Sequence, residues 1–375
     1  MKKNILIFAY HDINRDPRAL RQIKWLSEFY QVEYICKVPD IDLKEKYYLL
    51  DDVNYFVSKL RMIYLLFRFY NKYTFTKSLK KIKKQIKENC YDIIIVHHIN
   101  LLPVIEEFKE KSKIILDAHE YYTEIYDDSL LWRFLMKPYH NWLAKKYLKI
   151  CDLVIAVNES MAERYKNEFG LKTEYITNAV DYEEQKPTKV DPCEIKMIHH
   201  GLASRSRKIE MMIELMKYLD KRYSLTLILL EINKLSKIYV NELKKLANND
   251  SRIKFIKPVS MKEVVSFCNK YDIGLFFMPP TNYNEEYSLA NKVFQFIQSR
   301  LMLAFSPLPE MKKVVLKYNL GVISDNFDVK NLAAKLNKLT AEEIYNYKLN
   351  AHKYANELSS EQNKVKFLEL IKKII

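Results

Sequence analysis

Ser288, Asn291 and Lys292 place a hydroxyl, an amide and an ammonium group at what reads as a helix start. Free backbone N–H groups and the positive end of the helix dipole attract anions there. The set would seat a diphosphate. A second basic group, Arg205, Arg207 and Lys208, follows an apolar run and Gly201 and leads into another helical stretch. Fixed cations at that place would stabilise a leaving nucleoside diphosphate, whose charge grows as its bond to carbon breaks. The arginine fork also matches phosphate oxygens. A third group is Asp117-Ala118-His119-Glu120, with Glu124 beyond it, directly after the run Ile114–Leu116. The plainer readings are an ordinary loop–helix–strand unit, a solvated basic turn and a satisfied interior histidine. The pairs His97-His98 and His199-His200 lack metal-ligand spacing, so they read as strand-end or structural residues and no metal is expected.

These groups need elements to hold them. Short β-branched runs recur at Ile5–Ala9, Val32–Cys36, Ile93–Val96, Ile114–Leu116 and Leu153–Val157, mostly with helical stretches between them. That alternation predicts a parallel sheet covered on both faces. The first helix is signed by Asp16 as N-cap, Pro17 at its first position, and Leu20, Ile23 and Leu26 on one side. A polar, proline-containing stretch at 180–193 reads as a linker. A second series follows at Met197–His200, Leu225–Leu230, Ile253–Ile256, Ile273–Phe277, Met302–Phe305 and Val322–Ile323. The fold class predicted is α/β, with two doubly wound Rossmann-like domains at 1–185 and 193–355. Ligands of such sheets bind beyond the carboxyl ends of the strands, here in a cleft between the domains.

Composition narrows the function. The chain has 375 residues, too many for one core and enough for two domains. With only 4 glycines it carries no glycine-rich phosphate loop. Its five cysteines, Cys36, Cys90, Cys151, Cys193 and Cys268, are dispersed, as expected of free thiols in a reducing compartment. The apolar start is too short for a signal peptide, and no run is long enough to span a membrane. A cytoplasmic location is expected. The net charge of +15 is concentrated between Val57 and Lys87 and between Trp132 and Lys149, where lysines and arginines interleave with aromatic residues. Such stretches fit the anionic inner face of a cytoplasmic membrane. A solvated helix face is the plain alternative. Nucleic acid is the other, with no recognition motif to support it.

The order of these segments resembles GT-B glycosyltransferases, in particular the bacterial polysaccharide branch of family 4, of capsule or O-antigen type. The resemblance rests on Asp117-Ala118-His119-Glu120, on Gly201 through Glu210, and on Glu285 through Glu310. It implies a hexosyl transfer from a nucleoside-diphosphate-sugar co-substrate to a polysaccharide or lipid-linked glycan, retaining and needing neither metal nor other cofactor. It makes His119, with Glu120 beside it, the catalytic pair. Arg205, Arg207, Lys208, Ser288, Asn291 and Lys292 hold the diphosphate. Glu231, Pro280 and Gln295 line the nucleoside, Glu286 and Tyr287 the donor sugar, and Arg15, Arg18 and Glu124 the acceptor. It also implies that residues 356–375 form a helix returning to the first domain. Gln295 stands where the family has a ribose-binding glutamate, Tyr287 where it has another glutamate, and Leu289-Ala290 where it has Phe-Gly. A nucleotide-sugar epimerase of the same architecture and a non-catalytic sugar-nucleotide or glycan binder are the alternatives.

Overall fold

Strands of pure Ile, Val and Leu cannot face water on either side, and here they do not. In the computed structural model, which describes residues 2–51 and 55–375 without the side chains of 55–59, two all-parallel sheets form. Val57 and Lys59 of the basic, aromatic stretch thus lie outside the described side chains. The chain divides into two units. The first comprises Met1–Thr177, Asn282–Asn284 and Lys364–Ile375, and the second Asn178–Thr281 and Glu285–Asn363.

The first unit contains β1 (Asn4–Phe8), β2 (Gln31–Cys36), β3 (Lys46–Leu49), β4 (Ile93–Val96), β5 (Lys113–Asp117), β6 (Leu153–Ala156) and β7 (Thr173–Tyr175). Their order in the sheet is β3-β2-β1-β4-β5-β6-β7. The order reverses between β1 and β4, which pair Ile5 with Ile93 through Phe8 with Val96. Every residue of β4 is fully buried. The helix Pro17–Ser27 starts where Asp16 accepts a hydrogen bond from the Ala19 N–H at 3.1 Å, with Pro17 in the first turn. It buries Ala19, Ile23 and Leu26 against β1 and β2. Phe367 and Ile371 of the last helix, Ser360–Ile374, join the same core, and Phe367 lies 5.9 Å from Trp25 between ring centroids.

The second unit repeats the plan with β8 (Ile195–Leu202), β9 (Tyr223–Leu230), β10 (Ile253–Ile256), β11 (Ile273–Phe276), β12 (Met302–Phe305) and β13 (Gly321–Ile323). The order is β10-β9-β8-β11-β12-β13, reversing between β8 and β11. A Cβ on Gly274 would stand 2.3 Å from the Phe296 ring, so glycine lets the helix Asn291–Gln298 lie close to β11.

The stretch expected to be a linker at 180–193 is bound to the second unit. Gln185 donates to the Gln298 carbonyl at 2.5 Å, and Arg300 donates to the Glu183 carbonyl at 2.5 Å and to that of Gln298 at 2.7 Å. With the Glu183 carbonyl and the Gln185 side chain held in this way, the stretch is part of its domain. The division accordingly falls between Thr177 and Asn178, ahead of the expected 185, and the returning segment begins at Lys364.

Candidate functional site

The reversal points of the two sheets each gather polar groups, and each set is built within its own unit. In the first, Asp117 ends β5 with no exposed surface. Arg18, the second residue of the first helix, donates through Nε to both Asp117 oxygens at 2.8 and 2.9 Å, and Gln22 donates to the same carboxylate. Arg18 also donates to the Ile176 carbonyl at 2.6 Å. A charge this deep is tolerable only when paired and hydrogen-bonded. Burial pushes the Asp117 carboxyl up, and Arg18, followed by His97, His119 and Gln22, more than reverses that and holds it below its ordinary value.

His119 follows two residues later. Its Nε2 lies 3.0 Å from Nδ1 of His97, the first residue past β4, with the rings nearly perpendicular at 84°. Asp16 joins them, so that one oxygen or ring nitrogen from each of the three lies within 4.8 Å of the others. Burial, against the pull of Asp117 and Asp16, pushes His119 down to about 4. At neutral pH it is an uncharged ring that can hydrogen-bond a substrate hydroxyl, and it is not an imidazolium acid. The neighbouring histidines have structural partners. His98 accepts from the Asn100 N–H at 3.2 Å, and His140 Nδ1 donates to the Tyr122 carbonyl at 2.7 Å.

In the second unit, Gly201 near the end of β8 has φ +138°, and a Cβ there would come within 2.9 Å of the Lys292 Nζ. Glycine therefore lets the ammonium rest on the strand end. Lys292 sits in the first turn of the helix Asn291–Gln298, whose N-cap Ala290 supplies no side-chain hydrogen bond. Its Nζ lies 5.3 Å from the centre of the Phe276 ring. Burial and then Arg207 push its pKa down to about 7. Neither Lys292 nor Arg207 has a carboxylate ion pair among the described residues. Two mutually repelling cations without a carboxylate partner among the described residues, one of them in the first turn of a helix, can take a doubly charged anion. His199 is not part of that chemistry: its Nδ1 donates to the Leu275 carbonyl at 2.9 Å.

Residues 18–184 match the model of Glycosyltransferase Family 4. No curated protein sequence matches the chain. Solved structures do. A sucrose-phosphate synthase from Thermosynechococcus elongatus superposes with a TM-score of 0.72 at 12% identity, covering 100% of this chain and 99% of that one. A UDP-forming α,α-trehalose-phosphate synthase from Burkholderia xenovorans gives 0.70 at 12%, covering 100% and 99%. An E. coli structure described as trehalose-6-phosphate bound with UDP-2-fluoro glucose gives 0.69 at 12%, covering 99% of both. The fold is GT-B.

Within this GT-B chain several expected site residues take other positions. Arg18 is 6% exposed and committed to Asp117, so it offers no free cation to an acceptor. Arg205 is held by both oxygens of Glu242 at 2.6 and 2.7 Å and lies 5.2 Å over the Tyr239 ring, away from the Arg207 role expected beside it. Glu124 is paired with Arg164 at 2.7 Å, whose guanidinium lies 4.2 and 3.9 Å over the rings of Tyr121 and Tyr283. Lys208, at φ +48°, is the residue on which the helix Ile209–Leu215 begins. Arg15 is 87% exposed, with Asp12 at 3.5 Å. Glu120 and Tyr287 are half-buried, and Glu286 and Glu231 are exposed. Ser288 and Pro280 are half-buried, Asn291 is exposed and Gln295 is buried. Asp16 and His97 were missed as neighbours of His119. Their signal was positional: each follows β1 or β4, the strands between which the sheet order reverses.

Proposed function

We propose that the protein is a glycosyltransferase that moves a hexosyl group from a nucleoside-diphosphate-sugar to a glycan or lipid-linked glycan acceptor. The anomeric carbon–phosphate oxygen bond breaks, the acceptor oxygen bonds to the anomeric carbon on the face the diphosphate leaves, and the acceptor proton goes to the departing diphosphate; attack on that face retains the anomeric configuration. Arg207 and Lys292 take the growing phosphate charge in place of a metal, neutral His119 hydrogen-bonds the donor sugar, and Gln295 serves the nucleoside end. The observation that carries this reading is the pair of unmatched cations, Arg207 and Lys292, at the strand-end Gly201 of a GT-B domain. The similar structures named for sugar-phosphate synthases, one of them described with UDP-2-fluoro glucose, support a nucleotide-sugar donor.

Lys292 gives the test its sign. In the free protein it titrates near about 7, and a bound diphosphate raises that value. Binding is therefore strongest where Lys292 is already protonated and weakens as pH rises above about 7. Calorimetry with UDP, GDP, ADP and CMP should find a diphosphate whose affinity falls up to roughly tenfold between about pH 7 and 8.5, with uptake of up to one proton on binding. A flat affinity over that range removes Lys292 from the diphosphate. Failure of every nucleotide to bind removes the function.

The acceptor side of the proposal is a membrane surface. The helix Tyr55–Leu66 packs against the helix Leu130–Tyr147. Leu66, Phe67, Leu130 and Phe134 stand 56, 66, 79 and 73% exposed, near in sequence to exposed Arg68 and Lys72 and to Arg133 and Lys137, both of which pair with Asp127. Exposed apolar groups on basic helices suit an anionic bilayer interface. Vesicles containing anionic lipid should bind the protein and release it as salt is raised from about 0.05 to 0.5 M, because screening lengths fall below ~10 Å. Equal binding to neutral vesicles contradicts the charge argument, and salt-sensitive RNA binding replaces it.

A further inference from the structure

We infer that Asp16, His97 and His119 form a binding site for one transition-metal ion of the zinc class. Asp16 is 9% exposed, and among the described residues its carboxylate accepts a single hydrogen bond, from the Ala19 N–H at 3.1 Å. No lysine or arginine pairs with it among the described residues. Carboxylates this far from water are ordinarily paired or bound to a metal, and the helix start supplies only part of a charge. Two histidine rings stand where a counter-ion would be. His97 Nδ1 and His119 Nε2 face each other at 3.0 Å, sharing one proton between two lone pairs.

The donor set fixes the metal class. Two neutral imidazoles and one carboxylate suit zinc, cobalt or nickel, whereas magnesium and calcium ask for oxygen ligands. Tetrahedral zinc–nitrogen bonds of about 2.0–2.1 Å hold two ligand nitrogens about 3.3 Å apart, so a metal that takes the place of the shared proton needs only a small opening of the pair. The three ligands come from the ends of three separate segments, the residue before the first helix and the residues past β4 and β5, and leave a fourth position to water or a substrate oxygen. The nitrogen of His119 that binds the metal is withdrawn from its neighbour, and the whole ring is fixed. Metal occupancy would then compete with the freedom of His119 to meet a sugar hydroxyl.

The inference stands on the first unit alone and does not rest on the proposed reaction. It is tested on the full chain carrying Cys90→Ser and Cys193→Ser, since both thiols are exposed and would take zinc adventitiously. Equilibrium dialysis with zinc should give one ion per chain, and cobalt should show the visible absorption of a tetrahedral site without thiolate bands. His119→Gln and Asp16→Asn should each weaken zinc binding by about 100-fold or more, while magnesium binds neither parent nor variant. Asp16→Asn retains the helix cap, so it stays folded where a histidine variant does not, and circular dichroism checks this. No bound zinc in the parent, or unchanged affinity in folded Asp16→Asn, overturns the site. Either result leaves the nucleotide measurements untouched, and loss of nucleotide binding with zinc retained strikes the proposed function alone.

Discussion

Replacing Arg18 with Ala should lower the unfolding free energy by about 3–5 kcal/mol, because it leaves a charged Asp117 buried without its partner. Asp117 is fully buried and both its oxygens accept from Arg18 Nε. The side chain of Gln22 cannot neutralise the charge. The double variant Arg18→Met with Asp117→Asn removes both charges and should recover much of the loss. Acid sharpens the contrast. The Asp117 carboxyl is held below its ordinary value in the folded protein, so its contribution is present above the unfolded value and is lost as pH falls through the folded one. Without Arg18 burial dominates, the carboxyl rises, and stability should fail at a higher pH than in the parent. Urea titrations of parent, single and double variants from about pH 4 to 8 measure this. A loss below about 1 kcal/mol for Arg18→Ala, with no recovery in the double variant, would show that the pair is solvated and carries no burial cost.

That pair also marks how far the sequence could be read. The strand Ile93–Val96 is identical in sequence and structure, because four consecutive β-branched residues have no other stable place than a two-sided sheet. The edge strand Lys46–Leu49 was not legible. Its residues Lys46 and Leu49 are exposed, and it belongs to the sheet through backbone pairing with Glu33 to Cys36. Asp16 was legible as a cap from Asp-Pro alone, since capping is local. That it also faces His97 and His119 depends on strand order, which pairs β1 with β4 and β4 with β5. Arg18 read as a surface cation for the same reason: its partner is 99 positions away. The cations Arg205 and Arg207 are two residues apart and look alike, yet one meets Glu242 on the helix Lys234–Ala247 and the other does not. Local chemistry identified the types. Only the packing decided which charges were already spent.

Arg207 and Lys292 have no carboxylate partner among the described residues, and their removal is expected to have the largest effect on turnover. Lys292→Ala or Arg207→Ala should cost roughly 2–4 kcal/mol in the catalytic step, about 30- to 1000-fold, with a smaller loss in affinity for the free nucleotide. The split follows from charge. The departing diphosphate gains negative charge as its bond to the sugar breaks, so a fixed cation does more for the transition state than for the bound donor. Lys292 should matter in a second way. It rests against Gly201 and the Phe276 ring in a half-buried position where burial, and then Arg207, push its pKa down to about 7. A diphosphate relieves that cost on binding, so Lys292→Ala should abolish the pH dependence of affinity above about 7, whereas Arg207→Ala should keep a dependence moved to higher pH, since Arg207 is the cation that helps lower Lys292. Gly201→Ala reaches the same ammonium from the other side: a methyl group 2.9 Å from Nζ displaces it while leaving its charge. Its turnover should fall with that of Lys292→Ala, with nucleotide affinity affected less. Steady-state rates for the three variants, with calorimetric affinities across pH, separate these effects. If both alanine variants turn over like the parent, the diphosphate is held by other groups, and Arg207 and Lys292 serve another anion.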